Sequence, residues 1–247
     1  MNRLGRKLLK ISYLGTNYCG WQVQPNGTSV QETVCNALSE MLGHKINVSG
    51  CSRTDSGVHA LEFYCHFDTD STIPNKGLVL GLNGILPNDI SAIECTDVAD
   101  GFHARYNAKG KTYRYEIYFS DIPNPFYYGR KLRLKKEPDF LLAQQFCKLL
   151  IGKHDFASFS SANRTVKDTV RTVSECNVVK ENNKWIFTVT ADGFLYNMVR
   201  IMVGSMLKFA ENKITKDTVL KAFETEKREL LGNTAPPEGL YLYKVHY

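Results

Sequence analysis

Residues 51–60 read Cys-Ser-Arg-Thr-Asp-Ser-Gly-Val-His-Ala, so one short stretch carries a carboxylate, a guanidinium, hydroxyls, an imidazole and a glycine. Arg53 and Asp55 stand two residues apart. A nearby arginine lowers the pKa of a carboxylate and orients it. Directly afterwards Leu61, Phe63, Cys65 and Phe67 alternate with Glu62, Tyr64, His66 and Asp68. That is the period of two expected of a half-buried strand. A polar loop delivered onto a rigid strand is how a sheet presents a reactive group. The same residues also suit a plain hydrogen-bonded turn, with Asp55 accepting backbone bonds and Arg53 pairing at the surface. Both readings stand on this stretch alone.

Other residues invite similar weighing. Arg200 interrupts a run that is apolar almost all round, from Met198 through Leu207, so its charge must be paired or must face a cleft. Tyr113, Tyr115, Ile117 and Phe119 share one face of a strand; such a face lines a core more often than it stacks on bases. Arg164, Lys167 and Arg171 form a basic run, which by itself describes a solvated face. His59, Cys65 and His66 lack metal-ligand spacing, and on one strand Cys65 points away from His66. No metal site is expected.

Composition is that of an ordinary globular chain: 247 residues, 43% apolar and 23% charged. The net charge of +6 is compatible with a polyanionic partner without requiring one. Seven scattered cysteines with no Cys-x-x-Cys indicate neither a disulfide framework nor zinc, and read as mostly buried thiols of a reducing cytosol. The basic start lacks the apolar run and cleavage site of a signal peptide, and no segment is apolar for long enough to span a bilayer.

The elements that must position these residues follow from periodicity. A strand is expected over 8–13. A helix follows from Ser29, whose Glu32 partner completes a capping box. Glycines 77, 81 and 84 predict a broken helix at 75–82, and 83–90 is rich in turn residues. A strand over 112–119 precedes a proline-rich loop at 121–129 and a helix opened by Pro138 and running to Ile151. Residues 154–164 read as a Ser-rich polar loop. Strands at 170–179 and 184–191 are joined by Asn182-Asn183, a buried helix covers 195–209, a shorter one 217–227, and a closing strand 240–246. The expected fold is α+β: two similar halves, 1–106 and 107–247, with antiparallel sheets side by side, helices packed on one face and an active-site cleft between the halves.

Laid out in this order, the chain resembles the tRNA pseudouridine synthase I (TruA) family nearly end to end. The stretch at 13–22, Tyr-Leu-Gly-Thr-Asn-Tyr-Cys-Gly-Trp-Gln, is similar to the family's N-terminal signature, and Ser29-Val30-Gln31 to the opening of its first helix. Arg53-Thr54-Asp55-Ser56-Gly57-Val58-His59-Ala60 resembles its catalytic loop. Phe102-His103-Ala104-Arg105, Tyr113-Arg114-Tyr115, His154-Asp155-Phe156, Gly193-Phe194-Leu195 with Met198-Val199-Arg200, and the 235–242 stretch recur in the family's order. Ser52 and Ser56 replace the usual glycine and alanine, and Leu14 an acidic residue; these departures touch the choice of target sites more than the chemistry.

The resemblance implies an isomerase that converts uridine to pseudouridine in the tRNA anticodon arm, at positions 38, 39 and 40. It makes Asp55 the catalytic residue, a nucleophile on the sugar or the ring with a base at the ribose as the other route, and gives Arg53 the holding of the target nucleotide out of the helix. Tyr113 would stack on the detached uracil, Leu240 would close its other side, and Arg200 would lie near the site. Lys109, Lys111, Arg164, Lys167 and Arg171 are candidates for phosphate contacts. The family implies no cofactor, a homodimer with one tRNA touching both subunits, and a cytoplasmic location. A divergent paralogue acting on another RNA, or a non-catalytic RNA-binding module, are the alternatives.

Overall fold

In the computed structural model, which describes residues 4–161 and 168–247, the strands and helices run in the following chain order. They are β1 (Gly5–Tyr13), α1 (Val30–Leu42), β2 (Ser49–Gly50), β3 (His59–Thr69), α2 (Asn75–Ile85), β4 (Ile90–Val98) and β5 (Gly110–Phe119). Next come β6 (Leu132–Leu134), α3 (Phe140–Leu150), β7 (Gly152–Asp155), β8 (Val170–Glu181), β9 (Lys184–Ala191), α4 (Met198–Ala210), α5 (Lys216–Thr225) and β10 (Leu240–His246). The fold is α+β and divides into two units, Met1–Lys109 with Tyr241–Tyr247, and Gly110–Leu240. The closing strand, apart from Leu240, therefore belongs with the N-terminal unit. No helix among the described residues is long and apolar enough to cross a membrane.

In the first unit β1 lies between β4 and β3, antiparallel to both. The far side of β3 pairs with β10 at its start and with β2 further along. The β10 pairing is parallel, so this sheet is mixed rather than purely antiparallel. Leu9, Ile11, Phe63, Cys65 and Phe67 are buried as their alternation predicts. Leu61 is not: the β1–β3 register slips between Ile11 and Tyr13, and that bulge turns Leu61 outward. Helix α1 starts where Ser29 Oγ accepts the Glu32 amide at 3.2 Å and ends at Gly43 in the left-handed region.

Two expectations fail here for physical reasons. Helix α2 is continuous through Gly77, Gly81 and Gly84; a Cβ at Gly81 would stand 2.4 Å from Met41 Cε, so the glycine allows close packing on α1 rather than breaking the helix. Strand β4 has no counterpart in the sequence reading. Its buried residues are Ile90, Ala92 and Cys95, because the register against β1 slips between Lys10 and Ile11 and spoils the period of two.

In the second unit the strand order is β5-β9-β8-β7, antiparallel throughout, with short β6 added parallel to β5. Tyr115, Ile117, Trp185, Phe187 and Val189 form its core against α3 and α4, where Phe146, Leu150, Met202 and Met206 are fully buried. The β8–β9 hairpin turns at Asn182, whose φ is 55°. Helix α3 opens on Asp139 rather than Pro138, because the Asp139 carboxylate accepts the amides of Leu141 and Leu142 at 2.8 and 3.1 Å. The supposed polar loop from residue 154 is β7 followed by a buried 3-10 turn, Ala157–Phe159. Phe156 and Phe159 pack there against Phe223 of α5, and this aromatic cluster outweighs the serines around it.

Gly204 shows how tightly α4 is packed. A Cβ there would sit 1.7 Å from the Asn233 carbonyl oxygen, a backbone atom that cannot step aside. Helix propensity alone would make Gly204→Ala stabilising by about 1 kcal/mol. Overpacking costs about 1–3 kcal/mol and should win. Urea denaturation of Gly204→Ala is expected to show a lower midpoint; a raised midpoint would contradict this packing.

Candidate active site

The turn ahead of β3 is shaped by its backbone. Cys51 enters it with its amide on the Tyr64 carbonyl at 2.8 Å. The Val58 amide closes on the Asp55 carbonyl at 3.2 Å, and Gly57 between them has a φ of 78°, a left-handed position suited to glycine. The side chains then divide by exposure. Thr54, Val58 and His59 are buried, Asp55 is half-buried, and Arg53 and Ser56 face solvent.

A second segment, residues 13–21, holds this turn in place. The Tyr13 and Thr54 hydroxyls share a buried hydrogen bond of 2.8 Å. The Trp21 amide donates to the Thr54 carbonyl at 3.1 Å, and the Gly15 amide donates to His59 Nδ1 at 2.8 Å. The Tyr18 carbonyl accepts from the Gly57 amide at 3.3 Å and from Ser56 Oγ at 3.2 Å. The segment is itself anchored by Asp89, whose carboxylate accepts from the Tyr18 hydroxyl at 2.6 Å and from Asn17 Nδ2 at 3.1 Å. Burial first, then Asp89, pushes the Tyr18 phenol well above its ordinary pKa, so it stays a donor. Trp21 is buried and stacks on Phe63 with centroids 4.0 Å apart. His59 is thus a backbone acceptor, and His66 Nδ1 likewise accepts the Ala104 amide at 3.2 Å. Among the described residues no group of three or more His, Cys, Asp or Glu is placed to hold a metal ion.

Tyr113, Arg200 and Leu240 all belong to the second unit. Tyr113 lies on β5 opposite Val189, buried, with its ring edge-on to Phe194 at 4.9 Å. Arg200 is half-buried; its Nε donates to the Ala235 carbonyl at 2.7 Å and a terminal nitrogen to Asn197 Oδ1 at 2.8 Å. The Ala235 amide returns a bond to the Arg200 carbonyl at 3.0 Å. Asn197 sits at a φ of 61° ahead of α4, and its Nδ2 donates to Ser161 Oγ at 2.8 Å. The Tyr115 hydroxyl donates to the Pro236 carbonyl at 2.7 Å, and burial keeps that phenol protonated. Arg200 and Tyr115 together fix the turn that delivers buried Leu240 onto β10.

The basic candidates fall differently. Lys111 is half-buried on β5 opposite Ala191, and half-buried Arg171 packs against Gly193, so both lie at one end of β9. Arg171 donates to the carbonyls of Val170 and Asp168 at 2.6 and 3.1 Å. Lys109 is exposed, with its amide on the His246 carbonyl at 2.8 Å. Arg164 and Lys167 lie outside the described residues. Sequence reasoning missed the supporting residues Tyr13, Asp89, Tyr115, Phe194 and Asn197. Apart from Asn197, which lies three residues from Arg200, their side chains act through partners distant in sequence, and local patterns carry no signal for such pairs.

Gly20 tests the docking of the two segments. Its φ is 103°, and a Cβ there would stand 2.5 Å from the Thr54 carbonyl oxygen. Gly20→Ala should loosen the turn, at a cost of about 1–3 kcal/mol. Hydrogen exchange at the Trp21 amide, bonded to Thr54, is expected to speed up at least tenfold. Unchanged protection at that amide would mean the contact does not hold the turn.

Against this geometry, a family model described as tRNA pseudouridine synthase matches residues 10–107 and 146–247. A protein of Clostridium acetobutylicum named tRNA pseudouridine synthase A is 45% identical over 97% of this chain and 98% of its own length. A protein of the same name from Acetivibrio thermocellus is 43% identical over 97% and 98% of the two chains. One from Clostridium perfringens named tRNA pseudouridine synthase A 2 is 41% identical over the same shares. The 53–60 turn, the segment that pins it and the turn behind Leu240 all lie in the matched stretches, and the chain belongs to the tRNA pseudouridine synthase family.

Proposed function

We propose that the chain isomerises uridine to pseudouridine in tRNA, at positions 38, 39 and 40 of the anticodon arm, with Asp55 as the catalytic carboxylate. Membership of the family gives the reaction class. The observation that supports Asp55 is its place in the turn: it stays half-open to solvent while Thr54 and His59 beside it are fixed by buried hydrogen bonds. A carboxylate on a preset backbone is a suitable nucleophile, and it splits one difficult step into two easier ones.

The reaction is an internal rearrangement. The N1–C1′ bond breaks, the uracil turns over, a C5–C1′ bond forms, and the proton leaving C5 is balanced by one gained at N1. Asp55 attacks C1′ as the N1–C1′ bond breaks, and leaves again when C5 bonds to C1′. Arg53, exposed beside it, helps keep the target nucleotide out of its stack, the step that opens a buried base to chemistry. Tyr113 stacks on the freed uracil, and its hydroxyl is placed in the role of base at C5. Leu240 closes the other side of the base. Arg200 acts as a positioning residue through Asn197 and Ala235. Lys109, Lys111, Arg164, Lys167 and Arg171 meet phosphates. The protein works without a cofactor, in the cytoplasm, as a homodimer that engages one tRNA with both subunits.

Asp55→Asn separates this reading from a non-catalytic binder. Pseudouridine formation in a tRNA transcript is expected to fall by about a thousandfold or more, while the dissociation constant for tRNA stays within a few-fold. Retained turnover would remove Asp55 from the chemistry. Mapping the product nucleotides in the parent reaction should place them at 38–40; modification only elsewhere would defeat the choice of target.

A further inference from the structure

The loop that joins β5 to β6 holds large apolar side chains in water without any packing reason. Phe126 is 76% exposed and Tyr128 84%. Neither is the result of a slack loop. Asn124 Oδ1 accepts the Phe126 amide at 2.9 Å, the Tyr127 amide bonds the Asn124 carbonyl at 3.0 Å, and the Asn124 amide reaches the Tyr118 hydroxyl at 3.2 Å. Tyr127, between the two exposed rings, is turned inward edge-on to Tyr118 at 5.0 Å. Two prolines, Pro123 and Pro125, stiffen the approach. Outward presentation of Phe126 and Tyr128 is therefore built into the loop, and ordered exposed rings of this kind mark contact surfaces.

The chemistry around the rings selects the partner. Between Ser120 and Lys136 the chain carries five cationic residues and one acid, Asp121. Lys131 is paired with Glu116 and lies 5.1 Å from the Tyr127 ring centroid. Arg133 donates to the carbonyls of Ser120 and Asp121, which orient the guanidinium without cancelling its charge. Lys135 and Lys136 are exposed. Protein–protein interfaces concentrate aromatic residues but deplete lysine. Exposed rings beside lysines and arginines instead suit unstacked bases with phosphates alongside.

We propose that this loop is a second RNA-contact surface, in which Phe126 and Tyr128 stack on bases of a single-stranded or looped part of the RNA while Arg133, Lys135 and Lys136 meet its phosphates. The proposal rests on tRNA being the substrate. It assigns the loop to affinity and leaves the chemical step to the residues around Asp55.

The test compares the parent protein, Phe126→Ala/Tyr128→Ala and Phe126→Trp/Tyr128→Trp on full-length tRNA transcript. Loss of stacking weakens binding by about tenfold per base. The alanine pair is thus expected to raise both Kd and KM for tRNA at least tenfold, with kcat within twofold of the parent, and the tryptophan pair to restore affinity. Lys135→Glu/Lys136→Glu should flatten the salt dependence of Kd. Unchanged Kd and KM in the alanine pair would overturn the proposal. So would a halved molar mass of that pair in sedimentation, which would assign the loop to contact between copies of the chain. Because Kd is read separately from turnover, a parent that binds tRNA through this loop yet forms no pseudouridine would sink the enzymatic reading while leaving the surface intact.

Discussion

The Tyr13 phenol, the amides of Gly15 and Trp21 and the carbonyl of Tyr18 all end on the turn that carries Asp55. A typical internal hydrogen bond contributes only about 0.5–1.5 kcal/mol net, whereas a buried group left without its partner costs about 1–3 kcal/mol. That asymmetry makes the docking specific. Once residues 13–21 and 54–59 are pressed together, any other conformation of the turn strands several buried polar atoms at once. Asp55 therefore stands on a backbone set in advance, as the proposed attack on the nucleotide requires. Asp89 extends the same logic outward, since its carboxylate ties Tyr18 and Asn17 to the strand region beyond.

The second unit solves a related problem with a charge. Arg200 sits on a helix whose neighbouring residues are almost all buried, where an unpaired guanidinium would be costly. It meets the Ala235 carbonyl and Asn197, a residue that is itself in a left-handed conformation. The guanidinium thereby couples the start of α4 to the turn before β10, and Tyr115 fixes the next residue of that turn. Tyr113 and Leu240 are presented by elements braced in this way. Strain and a half-buried charge gathered around such residues are usual at functional sites, where local preference yields to the needs of the site.

Much of the scaffold was legible because its periods are clean. The apolar face of α1, the Ser29 cap, the β8–β9 hairpin at Asn182 and the alternation in β5 all follow from local rules. The misses share a cause: a tertiary contact overrode the local pattern. A register slip hid β4 and turned Leu61 outward, Met41 made a glycine useful inside α2, and Phe223 drew a serine-rich stretch into the core. The candidate site behaves likewise. The residues of the 53–60 turn can be picked out from sequence, but taken alone they fit a plain turn equally well. Tyr13 and Asp89 give no local sign of what they hold, because each is defined by a partner many residues away.

In the proposed reaction the anchored turn, and not the carboxylate by itself, makes the site competent. Thr54→Val tests it most directly, since the substitution keeps the shape of the side chain, removes the bond to Tyr13 and leaves Asp55 untouched. The measurement is the single-turnover rate of pseudouridine formation at saturating tRNA. A fall of about tenfold or more is expected, as small misplacements of a reacting group produce, with tRNA affinity unchanged. A rate within twofold of the parent would contradict it.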